Sequence, residues 1–223
     1  MFNRIHYLLL LFLCSQLFFL TACNQEEPVV EVDPNEPPEG LILAVGDSLT
    51  AGYGLAQDDA YPAILQNKLH KNGYNFEVIN AGVSGETTSG TLQRAEWLLS
   101  QKPDIIILEI GANDGLRGTD PALAEKNIRE LMQLFEDEGI VVVLAGMKMA
   151  LNRGLQYVGK FNAIYPSIAD DFDCVFMKFF LEDVALKREY NQDDGLHPTR
   201  AGYEVIVENI YPYVVKAIEK VRK

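Results

Sequence analysis

Residues 41–48 read LILAVGDS, an aliphatic run that passes directly into a glycine–aspartate–serine turn. The run is apolar on both alternating faces, which is typical of a strand buried between two layers of helices. Four more β-branched or aliphatic runs follow, at residues 76–79, 105–110, 140–145 and 174–176. Helical patterns separate the runs, and this alternation predicts an α/β fold with a five-stranded parallel sheet and helices on both faces.

The helical patterns lie at residues 61–70, 88–99, 121–138 and 157–169, and a last one follows Thr199. Gly73 and Gly139 are expected to end two of these helices, because glycine readily adopts the left-handed conformation found after helix ends. Pro212 is expected to kink or split the last helix, since it removes one backbone hydrogen bond and crowds Glu208.

The active site of an open parallel sheet lies beyond the carboxyl ends of its strands. We therefore expect the chemistry in the loops that follow the five predicted strands. Those loops begin at Gly46, Asn80, Gly111, Gly146 and Lys178. Residues 41–223 show no internal repeat, and their length fits a single domain.

The first 22 residues have the pattern of an export signal. Arg4 precedes an apolar run at residues 7–20, which is shorter than the roughly twenty residues that span a bilayer. The run ends in Leu-Thr-Ala-Cys at residues 20–23, which resembles the lipobox of bacterial lipoproteins. This resemblance implies a signal peptide at residues 1–22 and a lipid anchor on Cys23; an ordinary cleaved signal or an uncleaved anchor is the alternative. Asn24 differs from the aspartate of the inner-membrane retention signal, which favours a periplasm-facing protein of the outer membrane.

Residues 23–40 are predicted to form a tether behind this anchor. After Cys23 they contain six acids, four prolines and no Lys or Arg. Such a composition buries little apolar surface against the entropy of ordering. A self-repelling, proline-rich segment of this length reaches roughly 50 Å.

The composition of the domain at residues 41–223 excludes several classes of function. The whole chain carries a formal charge of −13, of which the leader contributes +1 and the tether −6, so the domain carries −8. This acidic surface, which has no basic stripe, argues against nucleic-acid binding. Cys174 is the one cysteine of the domain and is expected to be a buried thiol. The chain has neither an HExxH motif nor a cysteine cluster for a metal.

Nucleophilic catalysis by serine needs a base that takes the hydroxyl proton. Two histidines follow the leader, and His70 lies at the end of a predicted helix, where a cation meets the helix dipole favourably. His197 lies in a loop three residues after Asp194, which can reach back to the ring, although Asp193 competes for that role. His197 is therefore favoured as the base. Ser84 is disfavoured as the nucleophile, because GVSG lacks the spacing of a GxSxG elbow.

Four segments lie in the expected loops or just before the last helix. They read GDSLT at residues 46–50, NAGVSG at 80–85, GAND at 111–114 and DGLHP at 194–198. In order and spacing they resemble the four blocks of the SGNH (GDSL) hydrolases, which are serine esterases with a three-layer, flavodoxin-like α/β fold. The resemblance implies that Ser48 is the nucleophile, His197 the base and Asp194 its orienting partner. It also implies an oxyanion hole formed by the N–H groups of Ser48 and Gly82 and the side-chain amide of Asn113, without a metal or organic cofactor.

Three further segments narrow the resemblance. NDGLRG at residues 113–118, YP at 165–166 and QDDG at 192–195 are similar to the bacterial multifunctional thioesterase/arylesterase/lysophospholipase subgroup. The loop after the fourth strand departs from this subgroup, which carries prolines and an Asn-Tyr-Gly there, whereas residues 149–154 read MALNRG. Without prolines we expect residues 150–153 to be more mobile. The substrate preference of the subgroup is therefore not carried over to this chain.

The expected function is hydrolysis of carboxylic esters or thioesters by a membrane-anchored serine esterase acting through an acyl-serine intermediate. The expected partners are a small-molecule or lipid ester, such as a lysophospholipid, and the membrane reached through Cys23. One alternative is a carbohydrate O-deacetylase of the same family. The other is a non-catalytic lipoprotein that binds lipids or the cell wall, against which the presence of Ser48, Asp194 and His197 argues. The sequence makes no prediction of oligomeric state.

Overall fold

The computed structural model describes Val32, residues 36–149 and residues 153–223. Within them, five parallel strands form one sheet in the order β2-β1-β3-β4-β5. The strands are β1 (Gly40–Gly46), β2 (Phe76–Gly82), β3 (Ile105–Glu109), β4 (Val141–Ala145) and β5 (Val175–Met177). Each strand overlaps the apolar run that predicted it, so the predicted α/β fold is confirmed.

Helices follow the strands in the predicted order. They are α1 (Ser48–Ala51), α2 (Tyr61–Lys71), α3 (Thr88–Gln93), α4 (Ala95–Ser100), α5 (Ala112–Arg117), α6 (Pro121–Asp137), α7 (Leu155–Asn162), α8 (Ile164–Asp171) and α9 (Arg200–Val221). Two predicted helices are each divided, one at Arg94 and one at Ala163. Gly73 and Gly139 lie just beyond the ends of α2 and α6 with φ angles of 77° and 73°, as predicted.

The last helix is not split at Pro212, so of the two predicted outcomes, a kink or a split, the split is wrong. Helix α9 continues through this proline from Arg200 to Val221. Apolar side chains on both sides of it, including Ile210 and Val214, are fully buried. Their burial offsets the one backbone hydrogen bond that proline removes. None of the helices in the described residues is long and apolar enough to cross a membrane.

The core lies between the sheet and its helices. The side chains of β1, β3 and β4 are almost entirely buried, which explains why their sequences are apolar on both faces. Helix α9 packs on α2 and on β4 and β5, while α6 packs on β4 with α3 and α8 beside it.

The carboxyl ends of the strands meet at one edge of the sheet. Gly46 of β1 is in register with Gly82 of β2 and Glu109 of β3, and Ala145 of β4 is in register with Met177 of β5. A Cβ on Gly46 would collide with the carbonyl oxygen of Glu109, so this close approach requires glycine. The register therefore brings the motif-bearing loops to one edge.

The predicted leader at residues 1–22 and the predicted anchor Cys23 lie outside the described residues. The last residues of the predicted tether are described and contact the domain. The Glu39 N–H donates to the Asn75 carbonyl at 2.6 Å, and the Asn75 side chain donates to the Pro37 carbonyl at 2.9 Å. Arg222 also pairs with the Glu39 carboxylate at 2.5 Å. Val32 is hydrogen-bonded to the domain as well, because its N–H donates to the His70 carbonyl at 3.3 Å.

Candidate active site

Ser48 lies on a tight turn where β1 passes into α1. The Asp47 carboxylate caps this short helix, because its Oδ1 accepts the Leu49 N–H at 2.9 Å. Gly52, with a φ of 77°, ends α1, and the buried Tyr203 hydroxyl donates to the Leu49 carbonyl at 2.8 Å. The serine side chain is therefore presented on a backbone that buried neighbours hold in place.

The structure brings His197 to Ser48 across 149 residues of sequence. The two side chains approach with His197 Nε2 and Ser48 Oγ 2.9 Å apart. On the other side of the imidazole ring, Nδ1 lies 2.6 Å from Asp194 Oδ2. A hydroxyl, an imidazole and a carboxylate linked in this order have the geometry of nucleophilic catalysis by an activated serine.

The Asp194 carboxylate is ionised because donors surround it. Its Oδ1 accepts the N–H groups of Leu196 at 2.9 Å and of His197 at 3.0 Å. Hydrogen bonds from the His197 backbone and ring, and then from the Leu196 N–H, lower the Asp194 pKa to about 2. A permanent carboxylate at Nδ1 holds the proton on that nitrogen, which leaves Nε2 to accept from Ser48.

The loop that carries His197 is held mainly by bonds within itself and to Tyr53. The Gln192 N–H donates to the His197 carbonyl at 2.8 Å, and the Gln192 side chain donates to the Tyr53 carbonyl at 2.8 Å. The Tyr53 ring lies against the His197 ring with centroids 4.6 Å apart. Tyr53 was not predicted as a site residue, because nothing in Gly-Tyr-Gly indicates a partner so distant in sequence.

The rival residues lie elsewhere or point to other partners. His70, at the end of α2, has its Nε2 3.1 Å from the Phe76 carbonyl, in agreement with the structural role considered for it. Asp193 is exposed, and within the described part of the chain Asp194 is the carboxylate bound to the His197 ring. Ser84 is exposed in the turn after β2.

The three predicted oxyanion donors lie at the ends of β1, β2 and β3. Ser48 is the first residue of α1, so its N–H has no intrahelical acceptor. Asn113, on α5, donates one N–H of its amide to Asp47 Oδ2 at 3.0 Å and retains a second. The Gly82 N–H donates to Asn80 Oδ1 at 3.0 Å, a hydrogen bond that the sequence did not indicate.

Two buried carboxyl groups, Asp47 and Glu109, lie near the turn that carries Ser48, and Glu109 was not predicted as a site residue. Burial raises the Asp47 pKa to about 6, against the lowering effect of hydrogen bonds from Leu49 and Asn113. The fully buried Glu109 has a pKa well above its ordinary value, first because of burial and then because of the nearby Asp47. Thr50 Oγ1 donates to Glu109 Oε2 at 2.8 Å. The available signal was an acid at the end of an otherwise aliphatic strand.

A cavity of about 220 Å³ opens beside Ser48 and His197. Its remaining walls are formed by Asp47, Leu49, Ala112, Asn113, Leu116, Met147, Lys148, Met149, Leu181 and Leu196. Most of these side chains are apolar, and Leu116 and Leu196 are about half exposed at its mouth. This arrangement suits a ligand with an apolar part next to the reactive serine.

The loop that departs from the subgroup borders this cavity through Met147 and Met149. Ala150, Leu151 and Asn152 lie outside the described residues, so the expected mobility of residues 150–153 stays a prediction. Arg153 is described, and its guanidinium donates to the Leu116 carbonyl at the mouth of the cavity. Among the described residues, no three His, Cys, Asp or Glu side chains converge to hold a metal ion.

Comparison with known proteins identifies the family. A sequence model of the GDSL-like lipase/acylhydrolase family matches residues 44–205. The chain is 39% identical to an arylesterase of Vibrio mimicus over 176 residues, which cover 78% of this chain and 88% of the relative. It is 38% identical to thioesterase 1/protease 1/lysophospholipase L1 of Escherichia coli K12 over 168 residues, which cover 75% and 79%.

The structural comparison agrees with the sequence comparison. The crystal structure of the esterase EstA from a Pseudoalteromonas species, inhibited by monoethylphosphonate, superposes with a TM-score of 0.77 at 32% identity. The alignment covers 81% of this chain and all of that one. The chain therefore belongs to the GDSL-like lipase/acylhydrolase family, close to its thioesterase/arylesterase/lysophospholipase members, and is an ester-hydrolysing enzyme.

Proposed function

We propose that this enzyme hydrolyses carboxylic esters and thioesters of single acyl chains through an acyl-serine intermediate. Ser48 is the nucleophile, His197 the general base and Asp194 the group that orients the imidazole. The observation that carries this assignment is the continuous contact from Ser48 Oγ through both ring nitrogens of His197 to Asp194 Oδ2, at 2.9 and 2.6 Å.

The reaction follows from this geometry. His197 Nε2 takes the Ser48 proton while Oγ attacks the carbonyl carbon, and the protonated ring then gives that proton to the leaving alcohol or thiol. In the second half of the reaction, His197 Nε2 takes a proton from a water molecule while the water oxygen attacks the acyl carbon. The protonated ring then returns this proton to Ser48 Oγ, which regenerates the enzyme. Asp194 remains ionised throughout and stabilises the transient imidazolium.

The oxyanion forms next to three donors. The Ser48 N–H and the second N–H of the Asn113 amide stabilise the negative charge on the carbonyl oxygen. The Gly82 N–H contributes when the oxyanion displaces Asn80 Oδ1 from it. A Cβ at residue 82 would collide with the backbone of Ala51, so glycine is needed for packing as well as for this approach.

The shape and chemistry of the catalytic cavity support an acyl chain as the bound group. Seven of its twelve lining residues have aliphatic or thioether side chains, which favour burial of methylene groups by about 0.8 kcal/mol each. The half-exposed Leu116 and Leu196 extend this apolar surface to the mouth. These features favour single-chain lipids such as lysophospholipids over the sugar esters of an O-deacetylase.

A lipid anchor on Cys23 completes the proposal. Two features of the sequence support it: the lipobox-like residues 20–23 and the acidic, proline-rich segment that follows. An anchored enzyme would meet single-chain lipids where they are concentrated. Metabolic labelling with a palmitate analogue tests this, since label should appear on the wild-type protein and be absent from Cys23→Ala; equal labelling of both would refute the anchor.

A fluorophosphonate probe tests the nucleophile directly. The probe should label the wild-type enzyme and Ser84→Ala but not Ser48→Ala, because the bond from serine oxygen to phosphorus, which forms as fluoride leaves, requires the serine that His197 activates. Persistent labelling of Ser48→Ala would overturn the assignment. A series of p-nitrophenyl esters then tests the substrate class, for which we expect higher kcat/KM on medium acyl chains than on acetate.

A further inference from the structure

A second cavity adjoins the catalytic cavity at the end of β4. Its volume is about 370 Å³, and it shares Met147 and Lys148 with the catalytic cavity. Its other walls are Asn162, Tyr165, Pro166, Phe176 and Lys178. Because two consecutive residues line both spaces, the two cavities lie side by side.

Backbone hydrogen bonds bring two lysines to this second cavity. The Gly146 N–H donates to the Met177 carbonyl at 2.8 Å, and the Phe180 N–H donates to the Gly146 carbonyl at 2.8 Å. Lys148 follows Gly146 by two residues, and Lys178 follows Met177 directly. The parallel register of β4 and β5 thus sets both side chains on the same cavity.

The charge of this cavity is opposite to that of the domain. The domain carries −8, yet both charged residues that line the cavity are lysines. Across the described ranges, the ion pairs include neither Lys148 nor Lys178. The Lys148 ammonium instead lies 4.8 Å from the centre of the Phe179 ring. Two ammonium groups at one cavity, neither of them paired with a carboxylate of the described residues, attract an anion.

The remaining walls suit the apolar body of an amphiphile. Phe176 and Pro166 present apolar surface, and the Tyr165 hydroxyl is already bound to the Ile110 carbonyl at 2.7 Å. The Asn162 side-chain oxygen accepts the Met149 N–H at 2.9 Å, which leaves its amide N–H₂ group as a neutral donor.

We propose that this second cavity binds the anionic group, a phosphate or carboxylate, of a single-chain amphiphilic ester through Lys148 and Lys178. The ester carbonyl then lies at Ser48, so this inference rests on the proposed function. It assigns to the enzyme a preference for anionic over neutral single-chain esters of the same length.

Equilibrium binding of decyl phosphate, with decyl glucoside as the uncharged counterpart, tests this proposal. Neither compound is a carboxylic ester, so binding to the full chain is measured without turnover. Failure of this inference is thus separate from failure of the fluorophosphonate assay. Decyl phosphate should bind about tenfold more tightly than decyl glucoside at low salt, and this advantage should shrink at 0.5 M salt because the charges of the exposed Lys148 and Lys178 are screened.

Variants of the two lysines locate the anion. Lys148→Gln and Lys178→Gln should each weaken decyl phosphate binding about threefold, and the double variant about tenfold. Lys178→Arg should retain it. Lys160→Gln is the matched control, because it makes the same change of charge at an exposed residue of α7 that lines neither cavity.

Three results would overturn the proposal. Decyl phosphate and decyl glucoside could bind equally well. Lys160→Gln could also weaken binding of decyl phosphate as much as Lys178→Gln, which would indicate that the net charge of the protein alone attracts the ligand. Inorganic phosphate could also displace decyl phosphate at equal concentration, which would identify a site for free phosphate that makes no use of the apolar walls. Thermal unfolding of each variant shows that the fold is retained.

Discussion

Asp47 and Asp194 lie on opposite sides of the Ser48–His197 contact and make similar hydrogen bonds. Asp47 accepts the Leu49 N–H and the Asn113 amide, while Asp194 accepts two backbone N–H groups and the His197 ring. Their pKa values nevertheless move in opposite directions, to about 6 for Asp47 and to about 2 for Asp194.

The difference comes from burial. Asp47 is almost completely buried, and removal from water disfavours its charge more than its two donors favour it. Asp194 lies near the surface, where burial contributes little and three donors dominate. Ser48 and Asn113 are thus held from the side of a buried carboxyl group, whereas His197 is held by an exposed loop whose carboxylate stays ionised.

The largest effect is expected on the exposed side. Asp194→Asn should lower kcat by about 10³- to 10⁴-fold, because an amide no longer fixes the tautomer of His197 or stabilises its charged form. Hydrolysis of a p-nitrophenyl ester measures this. Asp193→Asn, the matched control one residue away, should change kcat less than about twofold. A comparable loss in both variants would show that the loop, rather than the carboxylate bound to the ring, is what matters.

A smaller effect is expected on the buried side. Asp47→Asn should lower kcat by about 10- to 100-fold with little change in KM, because its amide would meet the Asn113 amide donor to donor and displace it from the oxyanion. Asn113→Ala, which removes the amide altogether, should lower kcat further, by about 10²- to 10³-fold, and this loss is the upper limit for Asp47→Asn.

The double variant of Asp47 and Asn113 decides whether the two act together. If Asp47 works by positioning Asn113, the double variant should be no slower than Asn113→Ala alone. Independent, additive losses would contradict this positioning role. Thermal unfolding of both single variants separates it from a general loss of structure.

The smallest effect is expected on the free energy of unfolding, through the buried Glu109. The Glu109 pKa is raised above its unfolded value, so the stability that this group contributes is present at low pH and is lost as pH rises above about 4.5. Glu109→Gln keeps an acceptor for Thr50 but cannot ionise. Its free energy of unfolding, relative to wild type, should therefore rise between pH 5 and pH 8, as measured by urea denaturation.

The pH dependence of this difference is the informative quantity. The Asp47 pKa is raised to about 6, so the stability that Asp47 contributes is also lost as pH rises, between about pH 4 and pH 6. This loss occurs in wild type and variant alike and therefore cancels in their difference. A difference between Glu109→Gln and wild type that stays constant from pH 5 to pH 8 would show that Glu109 is already ionised in the folded enzyme at pH 5, which would contradict its raised pKa.

Much of the fold could be predicted because it is encoded in local patterns. Aliphatic runs predicted all five strands, and the glycines after α2 and α6 predicted where those helices end. The prediction failed where neighbours outweigh local preference. Helix α9 continues through Pro212 because the residues around it are buried, and no local pattern indicated the break at Arg94, which binds Glu86 and the Ala81 carbonyl.

The sequence by itself determined the residue types of the site and the loops that carry them, since each motif is local and follows a strand. Only the tertiary structure decided that Ser48 meets His197 rather than His70, that Asp194 rather than Asp193 holds the ring, and that Glu109 lies buried against Thr50 in the turn that carries Ser48. Contacts across such separations depend on strand order and register, and a pKa depends on burial. Neither quantity is contained in a short stretch of sequence.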